Sequence, residues 1–406
     1  MSASEVLNFT EIPTVDAGVE RFEFHEYDPV ARTNLNSVGK ISINIEQQDL
    51  FTLPSEAFLL FEERLLKADG TSYANAHAVS LTNNGIMHLF SQILYQLSNQ
   101  EVEAVYHLGQ ATTMLGMLKY PNNFQLAQGL NQLWYENSAT TAALAGNSGF
   151  AHIFGFCDDY DKVIYGFKHT LTLVRKSDDD TIFRLPAAAA GKVNLDKMLL
   201  FIPNVIPSDI EKINFYKTIE SKVTLLVSFH ARQCDTISEP QSTRFSWILS
   251  VKTSPEKPRK IIVGFQTNKD GNQELNPLIF GHCDLKNMYT MLNEERYPAV
   301  DYNLSFPNHQ FSRAYRDASL FSEKFYGTNE LILQSNIATF DYKYLCPLMV
   351  FNVSIRSERL QSSVVYVQIK AIFNAVIPAD TEAFAVVISD RLLQFQSDRN
   401  KMNIVN

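Results

Sequence analysis

Cysteine is scarce. The 406 residues hold four, Cys157, Cys234, Cys283 and Cys346, with no Cys-x-x-Cys pair and no histidine at zinc-finger spacing. That excludes a disulfide scaffold or zinc ribbon as the source of stability and reads as four free thiols in a reducing compartment. Long apolar runs are missing too: no stretch approaches the roughly 20 residues of a membrane span. Met1 to Glu5 shows neither the basic nor the apolar region of a signal peptide, so secretion by that route is not expected. Basic residues are outnumbered, 35 against 44 acidic, and a net charge of −9 opposes general binding to phosphate backbones unless cations cluster locally. The densest candidate, Arg175-Lys176, is answered at once by Asp178-Asp179-Asp180. This run lacks the spacing of a calcium loop and is expected to be a solvated hairpin turn.

Catalytic signatures are equally absent. No Gly-x-x-x-x-Gly-Lys-Ser/Thr loop and no dinucleotide-binding glycine fingerprint occur, which removes support for the nucleotide enzymes that depend on them. Without a Gly-x-Ser-x-Gly elbow or a His-Glu-x-x-His helix, hydrolase and zinc-protease readings weaken as well.

Aromatic and aliphatic residues are plentiful. A hydrophobic content of 45%, with 28 Phe and 17 Tyr, is enough for a sizeable core and suits broad sheet packing. The pattern is that of strands. Ile41 to Glu46 alternates strictly, a strand is predicted over Ala57 to Leu66 before a turn at Asp69-Gly70, and Ser91 to Ala104 fits a hairpin turning at Ser98-Asn99. Gly109 to Lys119 is a short helix, and Val163 to Val174 returns to strand. Val223 to Phe229 alternates again. In Thr243 to Gly271, Phe245, Trp247, Leu249 and Val251 share one face, and Ile261, Val263 and Phe265 resume the alternation beyond two prolines. That stretch is expected to be a hairpin. Asp284 would cap a helix presenting Leu285, Met288 and Leu292. Phe311 to Phe325 forms a longer helix closed by Gly327, its ragged apolar stripe serving either the core or a subunit contact. Strands follow at Leu348 to Ile355, Val364 to Phe373 and Ala383 to Ser389.

Each half therefore reads strands, helical insertion, strands. Helices confined to loops between strands predict an all-β fold of two tandem jelly-roll β-sandwiches with short inserted helices. The expected divisions are an N-terminal arm (1–33), a first jelly roll (34–202), a second (203–396) and a C-terminal tail (397–406). The break falls in Phe201 to Pro207, where two prolines interrupt the pattern, and no glycine-serine linker separates the halves.

Candidate chemistry is sparse. His25, Glu26 and Asp28 in "FHEYDP" form the most tempting acid-base group, but neighbours on an extended chain point opposite ways, so a structural or surface role is preferred. Asp158, Asp159 and Asp161 could pair around a metal or form a polar turn, and Cys157 beside them is a nucleophile or, more commonly, a small apolar filler. His152, His169, His230 and His282 have no mutual spacing that recommends a metal site. Trp247 could anchor a sugar or peptide, though its alternation with Phe245 and Leu249 favours burial. No catalytic, cofactor-binding or metal residue is assigned.

Several long stretches resemble the double jelly-roll major capsid proteins of the adenovirus-like lineage, most closely the capsid-like proteins of Polinton-type (adintovirus-like) elements in animal genomes. They are "NLNSVGKISINIEQQDLFTLPSEAFLLFE" from Asn34, "LTNNGIMHLFSQILYQLSNQEVE" from Leu81 and "HIFGFCDDYDKVIYGFKHTLTLVRKSDDDTIF" from His152. In the second half they are the Thr243 stretch, "YPAVDYNLSFPNHQFSRAYRDASLFSEKFYG" from Tyr297 and "SSVVYVQIKAIFNAVIPADTEAFAVVISDRLLQF" from Ser362. The resemblance covers nearly everything from Asn34 onward. It implies two eight-stranded jelly rolls, a pseudo-hexagonal homotrimer, and trimers tiling an icosahedral shell around double-stranded DNA. Implied partners are other copies of the chain, neighbouring capsomers, and penton or minor capsid proteins, with no specific nucleic-acid site, no cofactor and no enzymatic activity. The implied location is the virion, assembled in host cytoplasm or nucleus. Relatives carry a further strand-forming segment between Phe150 and Ala151, which abut here, so the first jelly roll is expected to lack an edge or to repair it with the N-terminal arm. A copy with that loss would be a genomic relic or a domesticated gene. The rival readings are a host-retained β-sandwich module binding carbohydrate or protein and, last, an enzyme built around His25, Asp158 or Cys157.

Overall fold

Strand and helix positions follow the alternation closely through the first half. A computed structural model describes residues 18–31, 35–74, 76–120, 124, 129, 134, 149–151, 155–222, 224–238, 241–251, 256–327, 337–354, 365–398 and 401–405. The order is β1 (Val19–Tyr27), β2 (Gly39–Ile45), β3 (Phe51–Thr52), β4 (Phe58–Lys67), β5 (Val79–Leu81), α1 (Gly85–His88), β6 (Phe90–Leu97), β7 (Gln100–Tyr106), α2 (Leu108–Lys119), β8 (Gly149–Ala151), α3 (Gly155–Asp159), β9 (Ile164–Tyr165), β10 (His169–Arg175), β11 (Ile182–Arg184) and β12 (Gly191–Pro207). Helix α4 (Asp209–Glu220) leads to β13 (Leu225–Ser238), β14 (Arg244–Ile248), β15 (Lys257–Thr267), β16 (Leu285–Leu292), β17 (Glu295–Tyr297), α5 (Ser312–Ser319), α6 (Phe321–Tyr326), α7 (Thr339–Tyr344), β18 (Met349–Asn352), β19 (Val367–Phe373), β20 (Thr381–Asp398) and β21 (Lys401–Val405).

Among the described residues, no strand up to β12 pairs with a strand from β13 onward. The first half stacks a sheet in the order β8-β4-β12-β3-β9, with β1 on the other side of β12, against a second sheet β2-β10-β6-β7. The second half stacks β13-β20-β15-β18, with β21 beside β20, against β14-β19-β16-β17. Facing layers meet through large apolar side chains: Phe61 of β4 lies 6.0 Å from Phe90 of β6, and Phe265 of β15 lies 5.5 Å from Phe373 of β19. The result is the expected all-β architecture, two antiparallel sandwiches side by side with short helices in the connections.

Where the structure departs from the sequence reading, the cause is local. Thr243 to Gly271 is not a hairpin: β14 pairs with β19 in one sheet, while β15 pairs with β20 and β18 in the opposite sheet. Both strands point apolar faces into one core from opposite sides, which alternation alone cannot distinguish from pairing. Asp284 starts no helix. Leu285–Leu292 is β16, and a bulge between Leu285 and Asn287 shifts the alternation, bringing Leu285 and Met288 inward at a spacing that mimics a helical turn. Val163 to Val174 divides into β9 and β10, which lie in opposing sheets. Gly166 turns the chain between them at φ 85°, where a Cβ would stand 2.8 Å from Met402. The helix over Phe311 to Phe325 is broken into α5 and α6 at Leu320, and its stripe belongs to the core: Phe311, Ala314, Ala318 and Phe321 are buried.

The chain ends contribute strands. Val19–Tyr27 pairs with Leu200–Pro207 of β12, and Lys401–Val405 pairs with Gln394–Asp398 of β20. At the Phe150–Ala151 junction, β8 runs straight through and pairs with Leu59, Leu60 and Phe61 of β4. The edge expected to be missing there is thus occupied by the junction itself.

Candidate assembly surfaces

The two sandwiches meet along a seam that is apolar at its margins and charged at its centre. Phe156 of α3 stands edge-on to Phe229 of β13 at 5.2 Å, and Phe167 lies 4.8 Å from Phe395 of β20. Between these contacts Glu103 of β7, 1% exposed, accepts from two backbone amides, that of Phe156 at 3.0 Å and that of Arg232 in β13 at 2.8 Å. The Arg232 guanidinium pairs with Asp158 at the end of α3, and Lys119 of α2 approaches the same carboxylate at 3.6 Å. Burial acts to lower the Arg232 pKa, but Asp158, Tyr326 and Glu103 outweigh it and hold the guanidinium firmly charged. Asp159 accepts from the backbone amide of His230 at 2.7 Å and lies 2.8 Å from its Nδ1. Glu256, 2% exposed, pairs with Arg391 at 3.3 Å, and Arg391 reaches the carbonyl of Glu101 at 2.9 Å. Charges removed from water in this way hold position because each is paired or hydrogen-bonded, and Arg232 with Asp158, Arg232 N with Glu103, His230 with Asp159 and Arg391 with the Glu101 carbonyl cross from one half to the other.

A second device protects a sheet margin. On the side away from β4, residues 191, 193 and 195 of β12 have no neighbouring strand among the described residues, and side chains satisfy them instead. Gln273 bonds both the N–H and the C=O of Gly191 at 2.9 Å. Asp178 accepts from Val193 N at 2.9 Å while Arg175 donates to Val193 O at 3.0 Å. Asn36 bonds Leu195 N at 2.7 Å and O at 3.0 Å. Three successive outward-facing residues are thus closed to pairing with another chain. This also corrects the expectation for Arg175 to Asp180: the run is no solvated turn, since Arg175 is 2% and Asp180 4% exposed. Asn36→Leu leaves the N–H and C=O of Leu195 unpaired, at an expected cost of about 1–3 kcal/mol. Urea unfolding measures that loss, and light scattering is expected to report faster aggregation.

The remaining sequence candidates do not converge. His25 and Glu26 sit on opposite faces of β1, and the carboxylate near His25 is Glu23 at 3.9 Å. Asp158 is ion-paired with Arg232 and Asp159 hydrogen-bonded to the amide of His230 across the seam, which neither a metal site nor a polar turn anticipates; Asp161 is exposed. The Cys157 thiol is raised well above its usual range by burial, then by Glu103 and Asp158, so it carries no nucleophilic thiolate. Buried His169 lies between Thr52 and Tyr95, and His282 stacks on Phe306 at 4.5 Å. His152 lies outside the described residues. No group of three or more His, Cys, Asp or Glu among the described residues is placed to hold a metal ion. Trp247 is 4% exposed and belongs to the core. Among the described residues the exposed tyrosines occur on separate elements, Tyr106 in β7, Tyr216 in α4, Tyr344 in α7 and Tyr366 before β19. The seam itself was missed, because Glu103, Arg232 and Arg391 sit in strands that carry other polar and charged residues, and nothing in the alternation marks them as buried.

Apolar surface is left uncovered on several faces. Phe22 and Phe24 of β1 are about half exposed and continue through Phe58 to Phe201, ring to ring at 5.7 and 5.0 Å. Helix α4 turns Phe215 and Ile219 inward and presents Ile210 (71% exposed), Ile213 and Tyr216 outward. Ile248 and Tyr366 flank the β14-β19 ladder, and Phe340 and Tyr344 pair on α7.

Known structures share this arrangement. A chain of the Sputnik virophage superposes with a TM-score of 0.63 at 10% identity, covering 100% of this chain and 92% of that one. The mavirus major capsid protein gives 0.58 at 10%, covering 100% and 93%, and a chain of the PBCV-1 virus capsid 0.57 at 10%, covering 95% and 97%. No curated protein matches the sequence. At these identities the likeness is one of fold. The profile of the double jelly roll-like domain matches residues 79–393, from the start of β5 into β20 and through both sandwiches. The chain belongs to the double jelly roll-like domain family.

Proposed function

We propose that this chain is a major capsid protein: a structural, non-enzymatic subunit that associates with copies of itself as a pseudo-hexagonal homotrimer, trimers tiling an icosahedral shell around double-stranded DNA. The observation that carries the reading is the welded pair of sandwiches, whose fold extends over nearly the whole length of chains from virion shells. A shell subunit must be rigid, must not pair its strands at random, and must present flat surfaces to neighbours. The buried ionic seam, the side-chain closure of β12 and the exposed apolar faces of β1 and α4 support those requirements in turn. Division into two units is supported by the sheet membership on either side of α4, but β12 runs unbroken through Phe201 to Pro207 in the first sandwich, so the break between the units falls after Pro207 and not at 202/203, with β1 counted in the first unit and β21 in the second. Origin in a Polinton-type element, endogenisation of the copy, contact with penton or minor capsid proteins, and assembly in host cytoplasm or nucleus are parts of the same proposal, carried by the sequence resemblance.

Light scattering coupled to size exclusion, at tens of micromolar chain, is the test. The expected mass is three times that of one chain, with hexagonal outlines in negative-stain images. A protein that stays monomeric at that concentration overturns the reading.

A further inference from the structure

One cavity has no part in the shell reading. It lies between β15, β18, α5, α6 and the turn after β17, and holds about 270 Å³. Four cations line it, Lys260, Arg313, Arg316 and Lys324, against one carboxylate, Asp317. Asp317 is engaged, accepting from the hydroxyl of Tyr302 at 2.8 Å. Arg313 donates to the carbonyls of Val300 and Asp301 at 3.0 and 3.1 Å and stacks over the Tyr302 ring at 4.6 Å. Lys260, Arg316 and Lys324 have no ion-pair or hydrogen-bond partner for their side chains among the described residues. Lys260 is the decisive one. It is 8% exposed, projects from a central sheet strand opposite Asn352, and ends on the cavity. Burial, Lys324 and Arg259 together depress its pKa, so the bare site stores an electrostatic penalty that an anion would relieve.

We infer that this cavity binds a compact polyphosphate, the triphosphate chain of a nucleotide or a free inorganic polyphosphate. Several cations converging on one small volume call for more negative charge than a single carboxylate carries, and guanidinium and ammonium groups are the usual phosphate partners. A partly open pocket of this size suits a short chain. General attraction cannot supply the binding, because the chain as a whole is anionic at −9.

Isothermal titration calorimetry on the full chain, at constant ionic strength, tests this with inorganic tripolyphosphate as the probe and with ATP and inorganic phosphate as comparators. One tripolyphosphate per chain is expected to bind, and to bind more tightly than inorganic phosphate. Lys260→Met and Arg316→Gln are each expected to weaken it about tenfold or more. Lys217→Gln on α4 removes an exposed charge elsewhere and is expected to leave affinity unchanged. ATP binding as tightly as tripolyphosphate assigns the site to a nucleotide's phosphate chain; ATP binding far more weakly assigns it to the free polymer. Should Lys260→Met fail to fold, exposed Arg316→Gln carries the test alone. No binding of tripolyphosphate, equal affinity in the folded variants, an equal loss in Lys217→Gln, or inorganic phosphate binding as tightly as tripolyphosphate would each overturn the inference.

Discussion

Between pH 7 and pH 5, each of two buried histidines is expected to withdraw about 2 kcal/mol of stability from the first sandwich. His88 is fully buried at the end of α1, its Nε2 3.2 Å from the Thr113 hydroxyl and its Nδ1 without a partner among the described residues. Burial pushes its pKa down to about 3, with Lys176 adding to the shift and Asp180 opposing it. His169, 3% exposed, is held between the Thr52 hydroxyl at 3.0 Å and the Tyr95 hydroxyl at 2.8 Å, and burial pushes it to about 4. Each folded pKa lies below the unfolded value near 6.5. The unfolded chain therefore takes up protons first, and stability that is fully present above pH 6.5 is lost as pH falls toward 4. Glu63 runs the other way. Burial raises it to about 7, so acidification relieves its charge and returns some stability, less than a fully buried group would because it is partly exposed.

Variants separate these opposing contributions. His169→Gln is expected to be less stable than the parent at pH 7 but to lose about 2 kcal/mol less between pH 7 and pH 5 in urea unfolding. Glu63→Gln is expected to deepen the acid loss. A His169→Gln slope identical to the parent's would mean that His169 is not held neutral by the fold.

Most of the strand framework was legible, and the reason is physical. Ile41, Ile43 and Ile45 are each buried and alternate with outward residues, as are Leu171 and Leu173 opposite them in β10. One-sided burial writes a period of two into sequence. What the sequence did not disclose is which sheet a strand joins, because Phe245 and Phe265 look alike whether paired side by side or facing across the core. The bulge in β16 defeated the period for the opposite reason, inserting a residue where alternation has no room for it. The seam was hidden differently again. Glu103 acquires its role only when β13 and α3 arrive from more than 50 residues away, and no spacing along the chain encodes that meeting. The closure of β12 is of the same kind, since Asn36 reaches it from 159 residues before and Gln273 from 82 residues after.

Removing the seam's central carboxylate is expected to be strongly destabilising. Glu103→Ala strands the amides of Phe156 and Arg232, and it deprives the buried Arg232 of one of its two nearby anions. Breaking a buried ionic network from one side usually costs about 3–5 kcal/mol, because the remaining charge stays desolvated without its counterpart. Glu103→Gln keeps the shape and one accepting oxygen but turns a donor toward amides that are themselves donors, so an intermediate loss is expected. Exposed Glu62 on β4 provides the control, and Glu62→Ala should change stability by no more than about 0.5 kcal/mol. Calorimetry adds a readout that local damage would not give. The apolar contacts Phe156 to Phe229 and Phe167 to Phe395 remain in the variant, but with the polar centre gone the sandwiches are expected to melt as two resolved transitions where the parent melts as one. A Glu103→Ala protein that unfolds in one transition within about 1 kcal/mol of the parent would show that the apolar margins alone hold the halves together.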